Sequence, residues 1–507
     1  MSKKDFFIAL VIFLTGILSR FPLIEKFQSH WDGPQYSIAL VRFSLSQETP
    51  ASPGYPLYIG LGKLFNFFIN SPHLSLLTIS ALSGALGGLV FFVIGKKIFN
   101  TLTGFIASSI FLTGSTFYYF SLTAYPYILT PITSALLAYV SYLIFIKKKR
   151  VGLYFGLIVG ISFGIRPQET ILTWGLMMIG FIYLSTKEKI KSLVVFFVIT
   201  LFWLIPIILS TGGITEYFFI SVKFLRSAVI NNTFQQHVEL MLKGFLLSFG
   251  LSSVFLLYFA FKAIKTKNVI KKNKKIIIFF CFWIIPGLLY NLILRTEHAG
   301  YQMTYLAGFL LIISYAIWNE SYKHKYIVVS IIFLISIFNL YWFFYDRDPQ
   351  FVKPYRPTSF HYSDIRKNDL KTGGKIKYIE SNFDPNSTLI IATDVLWRPY
   401  MYYLKDYRLV DLSGLDIKTP SFKYTRRDSL NWTISQYVDK DMTVAIPKNI
   451  KKIVFTDDAS FSWIKNYPYN IYSLPGRSRL TSISVDPLDK IIYDYHSLSI
   501  LKGPKNN

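Results

Sequence analysis

Carboxylates are scarce in the first two thirds of this chain, so each one is informative. Residues 1–344 hold ten acids: Asp5, Glu25, Asp32, Glu48, Glu169, Glu188, Glu216, Glu239, Glu297 and Glu320. Asp32 stands in the run Gln28-Ser29-His30-Trp31-Asp32-Gly33-Pro34-Gln35-Tyr36, and apart from Asp5 it is the only aspartate in that region. A carboxylate placed there can take the proton from an attacking hydroxyl, a step worth about 10²–10⁴-fold. It could equally cap a helix ahead of Gly33-Pro34. Two other clusters mix charges, Arg166-Pro167-Gln168-Glu169 and Arg295-Thr296-Glu297-His298-Ala299-Gly300-Tyr301-Gln302. Arginine suits an anionic leaving group such as a phosphate, because its planar fork meets two oxygens at once. The plainer readings are lipid-headgroup contact for the arginines, a tight turn with a local ion pair at 166–169, and a helix start capped by Thr296. His30 and Asp32 supply at most two metal ligands, and no His/Cys cluster completes a site.

These residues must be positioned by membrane-spanning helices. Of 507 residues, 52% are hydrophobic, 18% aromatic and only 16% charged, against about 25% charged in average proteins. That excludes a disordered chain and an ordinary soluble enzyme. A spanning helix needs about 20 mainly apolar residues. Runs that fit lie at roughly 6–24, 74–94, 102–120, 126–146, 151–165, 170–186, 192–210, 240–261, 276–294, 301–318 and 326–344. The expectation is a polytopic α-helical membrane protein of about eleven transmembrane helices.

The net charge of +26 would suggest nucleic acid in a soluble protein. Here the Lys and Arg residues gather in every second connection, from Lys3-Lys4 to Lys323 and Lys325, 20 against 8 in the intervening connections. The positive-inside rule then puts the N-terminus in the cytoplasm and the C-terminal tail outside, in a cell (inner or plasma) membrane, with no nucleic-acid partner. Lys3-Lys4 before an apolar stretch imitates a signal peptide, but no small-x-small site follows before Arg20-Phe21-Pro22, so a retained helix is expected.

The first external connection is long. Residues Ser37 to Ser46 and the stretch after Pro53-Gly54-Tyr55-Pro56-Leu57-Tyr58 read as amphipathic helices lying at the interface, about 33–69. The apolar runs stop at Phe344. The expected organisation is a membrane domain at 1–344 and an extracytoplasmic globular domain at 345–507 that carries eighteen of the 28 acids. Short β-branched runs at Thr388 to Thr393, Tyr407 to Leu412, Met442 to Ile446, Lys451 to Thr456 and Ile491 to Tyr495 alternate with helix-like stretches at Leu396 to Asp406 and Asp428 to Lys440. This order suggests an α/β or α+β domain. Trp397 to Tyr403 is an aromatic segment for core packing or for stacking on a sugar. Lys371-Thr372-Gly373-Gly374-Lys375 lacks the spacing of a phosphate loop.

The apolar first helix, the loop acid Asp32 and the Pro-Gly-Tyr-Pro-Leu-Tyr segment together resemble the GT-C membrane glycosyltransferases, in particular those akin to protein O-mannosyltransferases and aminoarabinose transferases (glycosyltransferase family 39-like). The resemblance implies a sugar moved from a polyprenyl-phosphate donor to a lipid, glycan or protein acceptor on the outer face, inverting, with Asp32 as general base. Together with the two charged clusters, it gives His30, Arg42, Tyr55, Arg166, Glu169, Arg295, Glu297, His298 and Tyr301 as substrate-binding candidates. Relatives often carry an arginine soon after the loop acid, where this chain has Gln35 and, first among its arginines there, Arg42. Some relatives use a divalent cation; none is expected here, and no other cofactor. The competing readings are a transporter or flippase, and a polymerase or ligase, of lipid-linked surface glycans.

Overall fold

A computed structural model describes residues 2–28, 32–47, 49–227, 233–265, 274–294, 299–321, 325–345, 360–392, 397–411, 422–428, 431–438, 443–445, 448–456, 464, 467–486, 489–494 and 497–501. Contacts divide the chain into two compact units, Met1–Ile24 with Ala39–Asp364, and Glu25–Ile38 with Ile365–Asn507. The segment bearing Asp32 groups with the second unit.

The first unit is helical. Its elements are α1 (Lys3–Leu18), the end of α2 (Asp32–Val41), α3 (Pro56–Ile69), α4 (Pro72–Ile98), α5 (Thr101–Thr113), α6 (Ser115–Phe120), α7 (Leu129–Phe145) and α8 (Gly152–Ile165). There follow α9 (Pro167–Ile171), α10 (Trp174–Tyr183), α11 (Thr186–Ser210), α12 (Ile214–Ser227), α13 (Phe234–Phe249) and α14 (Ser253–Lys265). The unit continues with α15 (Lys274–Ile293), α16 (Met303–Ser321) and α17 (Lys325–Tyr345).

Every one of the eleven apolar runs is helical, and eight helices among the described residues are long and apolar enough to cross a membrane. The other three are shorter. Gly114 leaves the helical region at ψ 128° and splits the 102–120 run into α5 and α6, while α8 has 14 residues and α10 has 10. The helix expected over Ser37–Ser46 instead starts at Asp32 and ends at Val41, with Gly33 to Leu40 buried, so it is not an open amphipathic helix. By contrast α3 exposes Leu64, Phe67 and Phe68 along one side.

Capping sets the first helix. The Ser2 hydroxyl accepts from the Asp5 amide at 3.2 Å and Asp5 reaches back to the Ser2 amide at 2.9 Å, a reciprocal pair that satisfies two orphan donors. Asp5 also pairs with Lys96 at the end of α4. At the other end of α1, Arg20 is fully buried. Its Nε donates to Ser121 Oγ at 2.8 Å, Nη1 to the Gly16 carbonyl at 3.1 Å and Nη2 to the Leu112 carbonyl at 3.1 Å, with Tyr118 under the guanidinium at 4.6 Å. A Cβ at Gly84 would stand 2.5 Å from that Nε. Neutral acceptors and one ring face therefore satisfy this cation inside the helix bundle.

The second unit is built on α18 (Tyr362–Asn382, from Ile365 onward) and α19 (Trp397–Tyr403), with strands β1 (Thr388–Ala392), β2 (Arg408–Asp411), β3 (Phe422–Asp428), β4 (Asn431–Val438), β5 (Thr443–Ala445), β6 (Lys452–Phe455), β7 (Tyr469–Leu474), β8 (Ser478–Ser484), β9 (Lys490–Asp494) and β10 (Ser497–Leu501). Seven strands form a sheet in the order β4-β3-β2-β1-β6-β8-β7, and three form another in the order β10-β9-β5. β1 runs parallel to both β2 and β6, and its five residues are all buried, as a strand covered on both faces must be. The helix expected over Asp428–Lys440 is instead strand: β4 pairs with β3 from Asp428↔Asn431 to Phe422↔Val438. Trp432, Thr433, Ile434, Tyr437 and Val438 are strand formers, and the partner strand decides the matter. Lys371 to Lys375 lies inside α18. Ile376, Ile379, Tyr400, Met401 and Val454 form a core that also takes in Ile38 of α2, with Phe27 packed against it.

Candidate active site

In the first unit the geometry converges on Arg166. Pro167 forces the residue before it out of the helical region, so Arg166 is extended at φ −149°, ψ 87° and α8 stops at Ile165. Pro167 then opens α9, where its missing N–H costs nothing. The result turns Arg166 inward, 2% exposed, with Glu169 one turn on at 3%. Arg166 Nη2 stands 3.6 Å from Glu169 Oε1, and Glu169 Oε2 accepts from Thr304 Oγ1 at 2.9 Å. The guanidinium carbon lies 4.0 Å from the Tyr127 ring centroid and 5.6 Å from that of Tyr301, and those two rings meet edge to face at 5.6 Å. Beside it, Gln168 Nε2 donates to the Tyr55 hydroxyl at 2.7 Å. Tyr55 is held at φ 47° between Gly54 and Pro56, a left-handed conformation that costs a non-glycine residue about 1–3 kcal/mol.

Arg166 is a buried cation with donor capacity to spare. Of its five N–H groups, Nη1 meets Thr130 Oγ1 only at 3.5 Å, and Nε has no hydrogen-bond partner among the described residues. One carboxylate and two ring faces balance its charge without filling its fork. Such a group matches an anion with several oxygens. Below the pair lies a cavity of about 10 Å³ lined by hydroxyls, including Thr130, Ser134, Ser162, Thr170 and Thr304. That is room for about one water.

In the second unit Asp32 is the first residue of α2 and half-buried. The chain before it is fastened by its own amides. Lys26 N and Phe27 N both donate to Asp369 Oδ1 at 2.8 Å, and Gln28 N donates to the Tyr403 hydroxyl at 3.0 Å. Asp369 Oδ2 accepts from Arg366 Nη1 at 2.6 Å. Burial pushes the Asp369 carboxyl above the usual range, as does Glu25, while the two amides and Arg366 pull it down. Gln28 Nε2 donates to Ser37 Oγ at 2.8 Å, a bond that reaches from the fastened segment onto α2 itself. The Phe27 ring lies 5.2 Å from that of Tyr403 and fills the space a side chain at Gly373 would need, its Cδ2 being 2.4 Å from an ideal Cβ there.

No family model matches the chain, and no curated protein does. Solved structures do. ArnT from Cupriavidus metallidurans in the apo state superimposes with a TM-score of 0.55 at 12% identity, over 94% of this chain and 97% of that one. The same protein bound to undecaprenyl phosphate gives a TM-score of 0.58 at 11% identity, with the same coverage. This is a GT-C fold. Its likeness runs through both units, so the helical bundle and the sheet-bearing unit both have counterparts in that structure.

Within this GT-C fold the expected site residues separate into three sets. Tyr55, Arg166, Glu169 and Tyr301 lie together in the first unit. Asp32 lies in the second unit, and Arg42, half-buried just after α2, belongs to the first. His30, Arg295, Glu297 and His298 lie outside the described residues. Sequence reasoning missed Tyr127, Thr130 and Thr304 around Arg166, and Asp369 and Tyr403 behind the Asp32 segment. The first three are uncharged residues of apolar helical runs, and no local signal separates them from packing. Among the described residues no three His, Cys, Asp or Glu side chains gather as metal ligands.

Proposed function

We propose that this chain is an integral-membrane glycosyltransferase that moves a sugar from a polyprenyl-phosphate donor to an acceptor on the outer face of the membrane, with inversion and with Asp32 as general base. The observation that carries the reading is Arg166: a buried arginine with donors unfilled among the described residues, against two aromatic rings in a GT-C fold whose neighbour ArnT binds undecaprenyl phosphate. In this reading the acceptor hydroxyl attacks the anomeric carbon as Asp32 takes its proton. The polyprenyl phosphate leaves as an anion, and Arg166 stabilises it with charge-assisted hydrogen bonds. Tyr127 and Tyr301 hold the guanidinium plane, and Tyr55, through Gln168, belongs to the same wall.

The test uses purified protein with undecaprenyl phosphate carrying mannose, glucose, galactose or N-acetylglucosamine, together with a cell-envelope extract as the source of acceptor hydroxyls. Release of free undecaprenyl phosphate is expected with one of these, and the Asp32→Asn variant should lose about 10²–10⁴-fold of that activity while keeping its thermal stability. Full activity in Asp32→Asn removes the general-base role. Movement of the intact lipid between leaflets without release would favour a flippase instead.

A further inference from the structure

The segment bearing Asp32 is not an ordinary loop of the helical unit. Its three amides at Lys26, Phe27 and Gln28 are all spent on side chains of the C-terminal unit, Asp369 on α18 and Tyr403 on α19. Its Phe27 ring sits over Gly373, and Ile38, six residues beyond Asp32, is part of that unit's core. Gln28 then bonds Ser37, so Asp32 lies between two anchored points nine residues apart. Backbone amides fastened by a carboxylate are strong, short-range restraints, and a misplacement of about 1 Å at a reacting group can cost about 10²-fold.

We propose that Asp369 and Tyr403 are positioning residues, and that the C-terminal unit serves to hold the segment that sets the place of Asp32. Arg366 is the third member: its bond to Asp369 Oδ2 leaves Oδ1 turned to the two amides. The proposal rests on the reading of Asp32 as general base.

Two variants of the full chain test it. Tyr403→Phe removes one hydrogen bond and keeps the ring against Phe27; Asp369→Ala removes the two amide bonds to Oδ1 and the bond from Arg366 to Oδ2. Both are read by amide hydrogen exchange over residues 25–38 and by steady-state kinetics with whichever undecaprenyl-phosphate sugar is active, beside Asp32→Asn. Exchange in the first turn of α2 should speed up at least about 10-fold, and kcat should fall about 10- to 100-fold with little change in the donor KM. A merely structural role would lower the folded yield but leave kcat of the folded protein unchanged. Unchanged exchange at residues 33–38 in both variants overturns the proposal whatever the activity. Faster exchange with unchanged kcat, when Asp32→Asn is inactive, overturns the positioning role and leaves the base intact. An active Asp32→Asn overturns the base reading, and with it the catalytic sense of the clamp. If Asp369→Ala does not fold, Tyr403→Phe decides alone.

Discussion

Two buried arginines of the first unit differ in one respect that separates scaffold from site. Arg20 has its Nε and both terminal nitrogens on good acceptors between 2.8 and 3.1 Å. Arg166 has one hydrogen bond at 3.5 Å, an ion pair at 3.6 Å and an Nε without a partner among the described residues. A cation whose donors are filled holds helices together; one with donors unfilled among the described residues can take an anionic ligand. Replacing Arg166 by Lys keeps the charge but loses the planar fork and its contact with the Tyr127 and Tyr301 rings. kcat/KM for the donor should fall about 10-fold or more, the cost of one charge-assisted hydrogen bond of about 1.5–3 kcal/mol, with the protein still folded. Titration of undecaprenyl phosphate release against donor concentration measures it, and an unchanged kcat/KM would remove Arg166 from the phosphate site.

Elements carry the positions of these side chains. Pro167 both ends α8 and starts α9, and the turn it makes sends Arg166 inward. Gly84 on α4 plays the corresponding part for Arg20, since a Cβ there would stand 2.5 Å from Arg20 Nε and 2.6 Å from Ser121 Cβ. Gly84→Ala should therefore overpack the contact between α1, α4 and α6 and cost about 1–3 kcal/mol, seen as a lower thermal midpoint in detergent. An unchanged midpoint would mean that the Arg20 side chain shifts without cost. The β4 segment shows where element reading fails: its strand depends on pairing with β3, a partner that no local pattern reports.

On the scale of the molecule, charge distribution makes its own prediction. With 20 Lys and Arg residues in alternate connections against 8 in the others, the N-terminus should be cytoplasmic and the unit after Asp364 should be exported. Alkaline phosphatase fused after residue 507 is expected to be active and a fluorescent protein fused there dark; the opposite pattern would invert the topology and place Asp32 on the wrong face for an exported acceptor.

The chain by itself determined its apolar helices, the charge alternation, the strands β1, β2, β5, β6 and β9, and the choice of Asp32, Tyr55, Arg166, Glu169 and Tyr301 as candidates. These are local signals, hydropathy over about 20 residues, a β-branched run, a charge where few are tolerated, and for Tyr55 and Tyr301 a segment that resembles a family. Only the tertiary structure decided that Tyr55, Arg166, Glu169 and Tyr301 meet, that Arg20 is scaffold, and that the Asp32 segment is fastened by Asp369, more than three hundred residues away. Contacts between residues so far apart arise from packing and from backbone amides that find distant side-chain acceptors, and neither leaves a mark on the residues nearby in sequence.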